Sequence, residues 1–150
     1  MKPIYLMLLV MATLPLLINA CPALANSEAM VDVEVIKALH TSSEIDPELT
    51  GLANEVGPVL NFKGFKLLKK SQVPLNTGET SELLLSRDRR LTLKLEGFEA
   101  DQARLNLKIF KDQTEIFATT LIMVDQGSAI IGGPKLKKGV MLLRIRGRFN

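Results

Sequence analysis

The chain has 150 residues, 47% of them hydrophobic and 23% charged, with 19 Lys and Arg against 16 Asp and Glu and a formal net charge of +3. A balance that small does not by itself call for a polyanionic partner. One Cys, one His, one Tyr and no Trp argue against zinc sites, base-stacking platforms and aromatic sugar sites.

Lys2, the apolar run Ile4 to Ile18 and Ala23-Leu24-Ala25 follow the order of a secretory signal peptide, with cleavage expected after Ala25. The run is too short, and too soon followed by polar residues, for a membrane-spanning helix. "LINAC" also resembles a bacterial lipobox, so lipidation at Cys21 is the alternative anchor. The expected address is the periplasm. Residues 26–150 would form a single domain, and the only Cys and only Tyr lie before it. Such a domain has to be stable in an oxidising compartment through its core alone, without a disulfide.

"VDVEVIKAL" alternates, with Val31, Val33 and Val35 on one side and Asp32, Glu34 and Ile36 on the other, which predicts a strand. "DPELTGLANEVGPVL" predicts a short helix with Asp46 as N-cap, Pro47 in the first turn and a stop at Gly57-Pro58. "FKGFKLLKKSQVPL" reads as one strand or two, with Phe65 and Leu67 sharing a face with Lys63 and Lys69. Beyond it come "SELLLS", "LTLKLEGF", "RLNLKIF", "EIFATTLIMV" and "VMLLRIRGRF". Turn signals separate them every eight to twelve residues or so, the spacing of an antiparallel meander. The expected fold is mainly β: strand, short helix, strand, then a meander closing as a sandwich or open barrel.

"DQGSAIIGGPKLKKG" reads as the connection before the last strand. Gly127, Gly132, Gly133 and Pro134 are expected to be structural turn residues, because glycine permits positive φ and proline fixes φ without donating a hydrogen bond. A phosphate loop would need GxxxxGK[ST] before a helix, which "GGPKLKKG" lacks. Residues 126–150 carry Lys135, Lys137, Lys138, Arg144, Arg146 and Arg148 and no acid. Strand alternation places the three arginines on one face. That face is a possible interaction surface for an acidic protein or anionic lipid, or is cross-paired with acids on a neighbouring strand.

Catalysis finds little support. His40 sits alone in a polar connection, no Gly-x-Ser-x-Gly elbow occurs, and the acids are scattered without calcium-loop spacing. No catalytic residue, cofactor or metal is expected, and no nucleic-acid partner.

The stretch "TTLIMVDQGSAIIGGP" resembles the conserved segment of bacterial secretins, outer-membrane channel subunits. Gly127 matches the turn glycine, Ile131-Gly132-Gly133 the following motif, and Pro134 stands where secretins usually have Leu. The chain as a whole resembles a group of small exported bacterial proteins of unknown function. The matching stretches are Asp46-Pro47-Glu48-Leu49, Phe62 to Leu68, and Gly132 to Ile145. The resemblance to that group implies a fold and an address but no activity. The leader, the strand-rich single domain, the lack of catalytic residues and the secretin-like stretch together give the expectation of a non-enzymatic envelope protein, an interaction module of a secretion or outer-membrane assembly. A peripheral binder of anionic lipid is the alternative.

Overall fold

The computed structural model describes residues 28–150, so the expected signal peptide and the expected processing at Ala25 or Cys21 lie outside the described residues. Eight strands follow one another: β1 (Ala29–Leu39), β2 (Gly64–Leu75), β3 (Thr80–Ser86), β4 (Arg89–Glu99), β5 (Gln102–Lys111), β6 (Thr114–Val124), β7 (Ser128–Lys135) and β8 (Val140–Phe149). They form two antiparallel four-stranded sheets. Sheet A has the order β2-β1-β8-β7 and sheet B the meander β3-β4-β5-β6. The sheets stack as a β-sandwich that is not closed into a barrel.

The period-two pattern builds the core directly. Val31, Val33 and Val35 from β1 meet Leu91, Leu93 and Leu95 from β4 and Leu105, Leu107 and Ile109 from β5, all buried between the sheets. Each such side chain taken from water contributes about 1.5–3 kcal/mol. The β1 register keeps Ile36 and Ala38 on the opposite face, where they pack under Leu49, Leu52, Ala53 and Phe65 in a second apolar cluster. Sheet A is thus covered on its inner face by sheet B and, at one end of its outer face, by the helix between β1 and β2.

That helix departs from expectation at both ends. A 3-10 turn (Pro47–Leu49) runs into α1 (Thr50–Leu60), which continues through Pro58 and ends where Asn61 adopts the left-handed conformation (φ 56°, ψ 37°). Gly57 does not stop the helix. A Cβ there would lie 3.2 Å from the Phe62 carbonyl oxygen and 3.5 Å from the Phe65 ring, so the glycine lets α1 approach β2 closely. Asp46 makes no side-chain cap on the helix. Its carboxylate instead accepts the Leu67 N–H of β2 at 2.7 Å.

"FKGFKLLKKSQVPL" supplies one strand, but the pairing with β1 slips between Val35 and Ile36. Val35 faces Lys69 and Ile36 faces Leu67, leaving Leu68 as an extra residue. One inserted residue reverses the alternation. Phe65 and Leu67 therefore face α1, while Lys69 turns to the other side and donates to the Leu84 carbonyl of β3 at 2.7 Å. The expectation that Lys69 shares a face with Phe65 fails for this reason.

The glycine-rich connection is the larger correction. Gly127 does occupy a turn, its N–H bonded to the Val124 carbonyl at 2.9 Å. Gly132, Gly133 and Pro134 instead belong to β7. The β7–β8 register slips between Gly132, opposite Leu142, and Lys135, opposite Val140, so two residues face Met141 alone. That is a bulge, and a Cβ on Gly133 would come within 3.1 Å of the Met141 carbonyl oxygen. The chain reverses later, at Leu136 to Gly139, where Gly139 has φ +96° and the Leu136 N–H bonds the Gly139 carbonyl.

Candidate functional site

The basic residues singled out in the sequence divide into two groups. Lys135, Lys137 and Lys138 are exposed around the β7–β8 turn. Arg144, Arg146 and Arg148 lie on the outer face of β8, where the register sets Arg144 against Glu34 and Arg146 against Asp32 of β1. At about 3.4 Å per residue, roughly 14 Å of strand separates the level of Val140 from that of Arg144, the nearest arginine, so the lysines sit at the turn end of the arginine row.

The arginine face is cross-paired. Glu34 is only 2% exposed, yet it sits on the outer side of the sheet, roofed by cations. Arg144 Nε donates to its Oε2 at 2.6 Å and Arg146 Nη2 to its Oε1 at 2.9 Å, with Lys70 Nζ at 3.7 Å from Oε1. Lys70 also lies 3.5 Å from Glu48 at the start of the helical segment, which ties the cluster to that cover. Burying the carboxylate is tolerable because charged donors reach both its oxygens. Arg148 is looser, 3.7 Å from Asp32 Oδ1. A shallow surface pocket of about 210 Å³ opens there between Asp32, Gln126, Arg146, Gly147 and Arg148.

His40 is exposed just beyond β1, beside the loop that follows α1. Its ring lies 4.5 Å from that of Phe62, and its Nδ1 is 2.9 Å from the Asn61 carbonyl oxygen. A carbonyl only accepts, so Nδ1 carries the proton and the imidazole holds the loop after α1.

The strand edges differ more than the faces do. An outermost strand presents a row of backbone donors and acceptors, and folded proteins blunt such edges with Pro, Lys, bulges or covering loops. β2 is blunted three ways: by the bridge of Ile45 to Phe65 with backbone bonds to Glu44 and Asp46, by Pro74, and by Lys66, Lys69 and Lys70. β7 carries Pro134 and the bulge beside it. β3 is seven residues long, and Lys69 occupies its Leu84 carbonyl.

β6 has little of this. Its eleven residues, TEIFATTLIMV, contain no Pro, Gly, Lys or Arg, and Glu115 is the single charge. One register slip, near Ile116, disturbs its pairing with β5, and from Phe117 to Val124 the ladder is regular. Among the described residues, Thr114 to Met123 make no backbone hydrogen bond beyond that ladder. Inward, Phe117 and Leu121 are half-buried at the rim of the core; outward, Ile116, Ile122 and Val124 stay 41%, 56% and 46% exposed. Backbone groups and apolar side chains thus lie along one accessible line, able to accept an added strand.

This edge was not singled out from the sequence. The usable signal was an eleven-residue segment with one charge and no Pro, Gly, Lys or Arg, but only the topology shows that β6 is outermost. The secretin-like stretch falls on the same rim: Thr119 to Val124 in β6, Asp125 to Gly127 in the turn, and Ser128 to Pro134 in β7. Comparison with known proteins finds no matching family model, curated relative or solved structure.

Proposed function

We propose that this chain is a non-enzymatic, exported protein of the cell envelope that docks a protein partner by strand addition to β6, as an interaction module of a secretion or outer-membrane assembly. The observation that carries the reading is the contrast among the four outermost strands: β2, β3 and β7 are blunted, while β6 offers eight regular residues flanked by exposed Ile122 and Val124. Export rests on the leader-like segment before Ala25, and the assembly class on the secretin-like stretch, which coincides with this rim. The anionic-lipid reading draws less support, because Arg144 and Arg146 are engaged by Glu34 and the exposed lysines lie around the β7–β8 turn.

The test is site-specific photo-crosslinking in intact host cells. A photoreactive residue replacing Ile122 on β6 is expected to give a discrete covalent protein adduct. The same residue replacing Leu84, exposed on β3, is expected to give none. No adduct from position 122 would overturn the proposal.

A further inference from the structure

We infer that the strand added to β6 is β6 of a second copy, so that two sandwiches join antiparallel into one continuous eight-stranded sheet. This rests on the reading of β6 as the docking edge and names its occupant.

The argument is self-complementarity. A two-fold axis across an antiparallel strand pair makes each residue oppose one equally far on the other side of the axis. Outward residues must also meet outward residues, so the axis passes through a residue rather than between two. Placed at Thr119, it reads a near-palindrome, Ile116-Phe117-Ala118-Thr119-Thr120-Leu121-Ile122. Ile122 then opposes the second copy's Ile116, and Leu121 opposes its Phe117. Thr120 opposes its Ala118, and Thr119 meets its own counterpart.

The exposed isoleucines become cross-strand pairs on the outer face, and the half-buried Phe117 and Leu121 extend the core rim across the junction. Charge permits the approach. Glu115, the single charge of β6, lies beyond the slip at Ile116 and outside the near-palindrome, and it is held outward by Lys108 of β5 at 3.0 Å. A foreign strand would satisfy the same backbone, but nothing would require β6 to read alike in both directions.

Sedimentation of the purified full-length chain is expected to show a concentration-dependent dimer. Ile122→Lys, which sets a charge in the seam at an exposed position, should leave a folded monomer by circular dichroism. In a Cys21→Ser background, Thr119→Cys should form an inter-chain disulfide on mild oxidation, since paired Cα atoms across an antiparallel ladder lie about 4.5–5.5 Å apart. Val124→Cys should form none, its two copies lying roughly 34 Å apart at about 3.4 Å per residue.

A chain that stays monomeric up to concentrations where a millimolar association would register overturns the inference. So does a dimer indifferent to Ile122→Lys, or one without the Thr119→Cys disulfide. The failures separate in the cellular experiment: an adduct from position 122 to a different protein leaves the docking edge standing and removes the second copy as its occupant.

Discussion

Sheet A has its inner face on the core and its outer face beneath α1 at one end and beneath a salt-bridged cluster at the other. Sheet B shares the inner core but turns a face of scattered surface pairs outward: Arg90 with Glu82, Arg104 with Glu99 and Lys108 with Glu115. The difference extends to the edges, both blunted in sheet A and one left open in sheet B. Two sheets from one chain, with equal strand number and similar apolar rows, divide the work. One is consolidated on all sides, and the other keeps a line of unused bonding capacity. The lesson is that burial of charge marks architecture here, while exposure of unpaired backbone marks the candidate for contact.

The sharpest way to break that comparison is to remove one carboxylate from each sheet. Glu34→Ala, which leaves Arg144 and Arg146 unpartnered over a buried site, is expected to cost about 3 kcal/mol of unfolding free energy in urea titrations. Glu115→Gln, in a half-exposed pair, is expected to cost under about 0.5 kcal/mol. Equal losses would erase the distinction between the two outer faces.

Smaller in effect is the edge of β2. Asp46→Ala removes the acceptor of the Leu67 N–H and should cost about 1–2 kcal/mol. Amide exchange at Leu67 should accelerate while exchange in β5 is unchanged. Undisturbed exchange at Leu67 would show that Asp46 does not guard this edge.

The least effect is a titration. The Thr77 hydroxyl and N–H donate to the Glu28 carboxylate at 2.5 and 2.8 Å, tying the start of β1 to the β2–β3 turn. These bonds hold the Glu28 carboxyl below its ordinary value, the side-chain bond contributing most. A lowered folded pKa means this contribution is present above the ordinary glutamate range and lost as pH falls through the lowered value. Thr77→Val should move the Glu28 carboxyl, followed by NMR, back up toward the ordinary range. An unmoved titration would remove the hydroxyl as the cause.

Much of this architecture was legible in the residues. The alternation of Val31, Val33 and Val35, of Leu91, Leu93 and Leu95, and of Leu105, Leu107 and Ile109 specifies which side of each strand is buried, because side-chain period is a local property. The arginine row was legible for the same reason, and its pairing with Asp32 and Glu34 was open until β8 was seen beside β1. What escaped were features decided by a neighbour. Gly132 to Pro134 look like a corner, yet β8 holds them in register on either side of a bulge. Asp46 looks like a helix cap, yet the edge of β2 offers its carboxylate a nearer N–H. The openness of β6 is likewise a fact about strand order, which no single segment contains.

The pairing of β1 with β8 in the middle of sheet A joins segments about a hundred residues apart, Ala29 opposite Phe149 and Ala38 opposite Val140. Until Val140 to Phe149 emerges, β1 lacks its central neighbour and the apolar row of Val31, Val33 and Val35 has half a sheet to lie in. A chain delivered from its amino end therefore acquires its decisive contacts last, as expected of a high-contact-order topology. Sheet A would lock only once its final strand arrives.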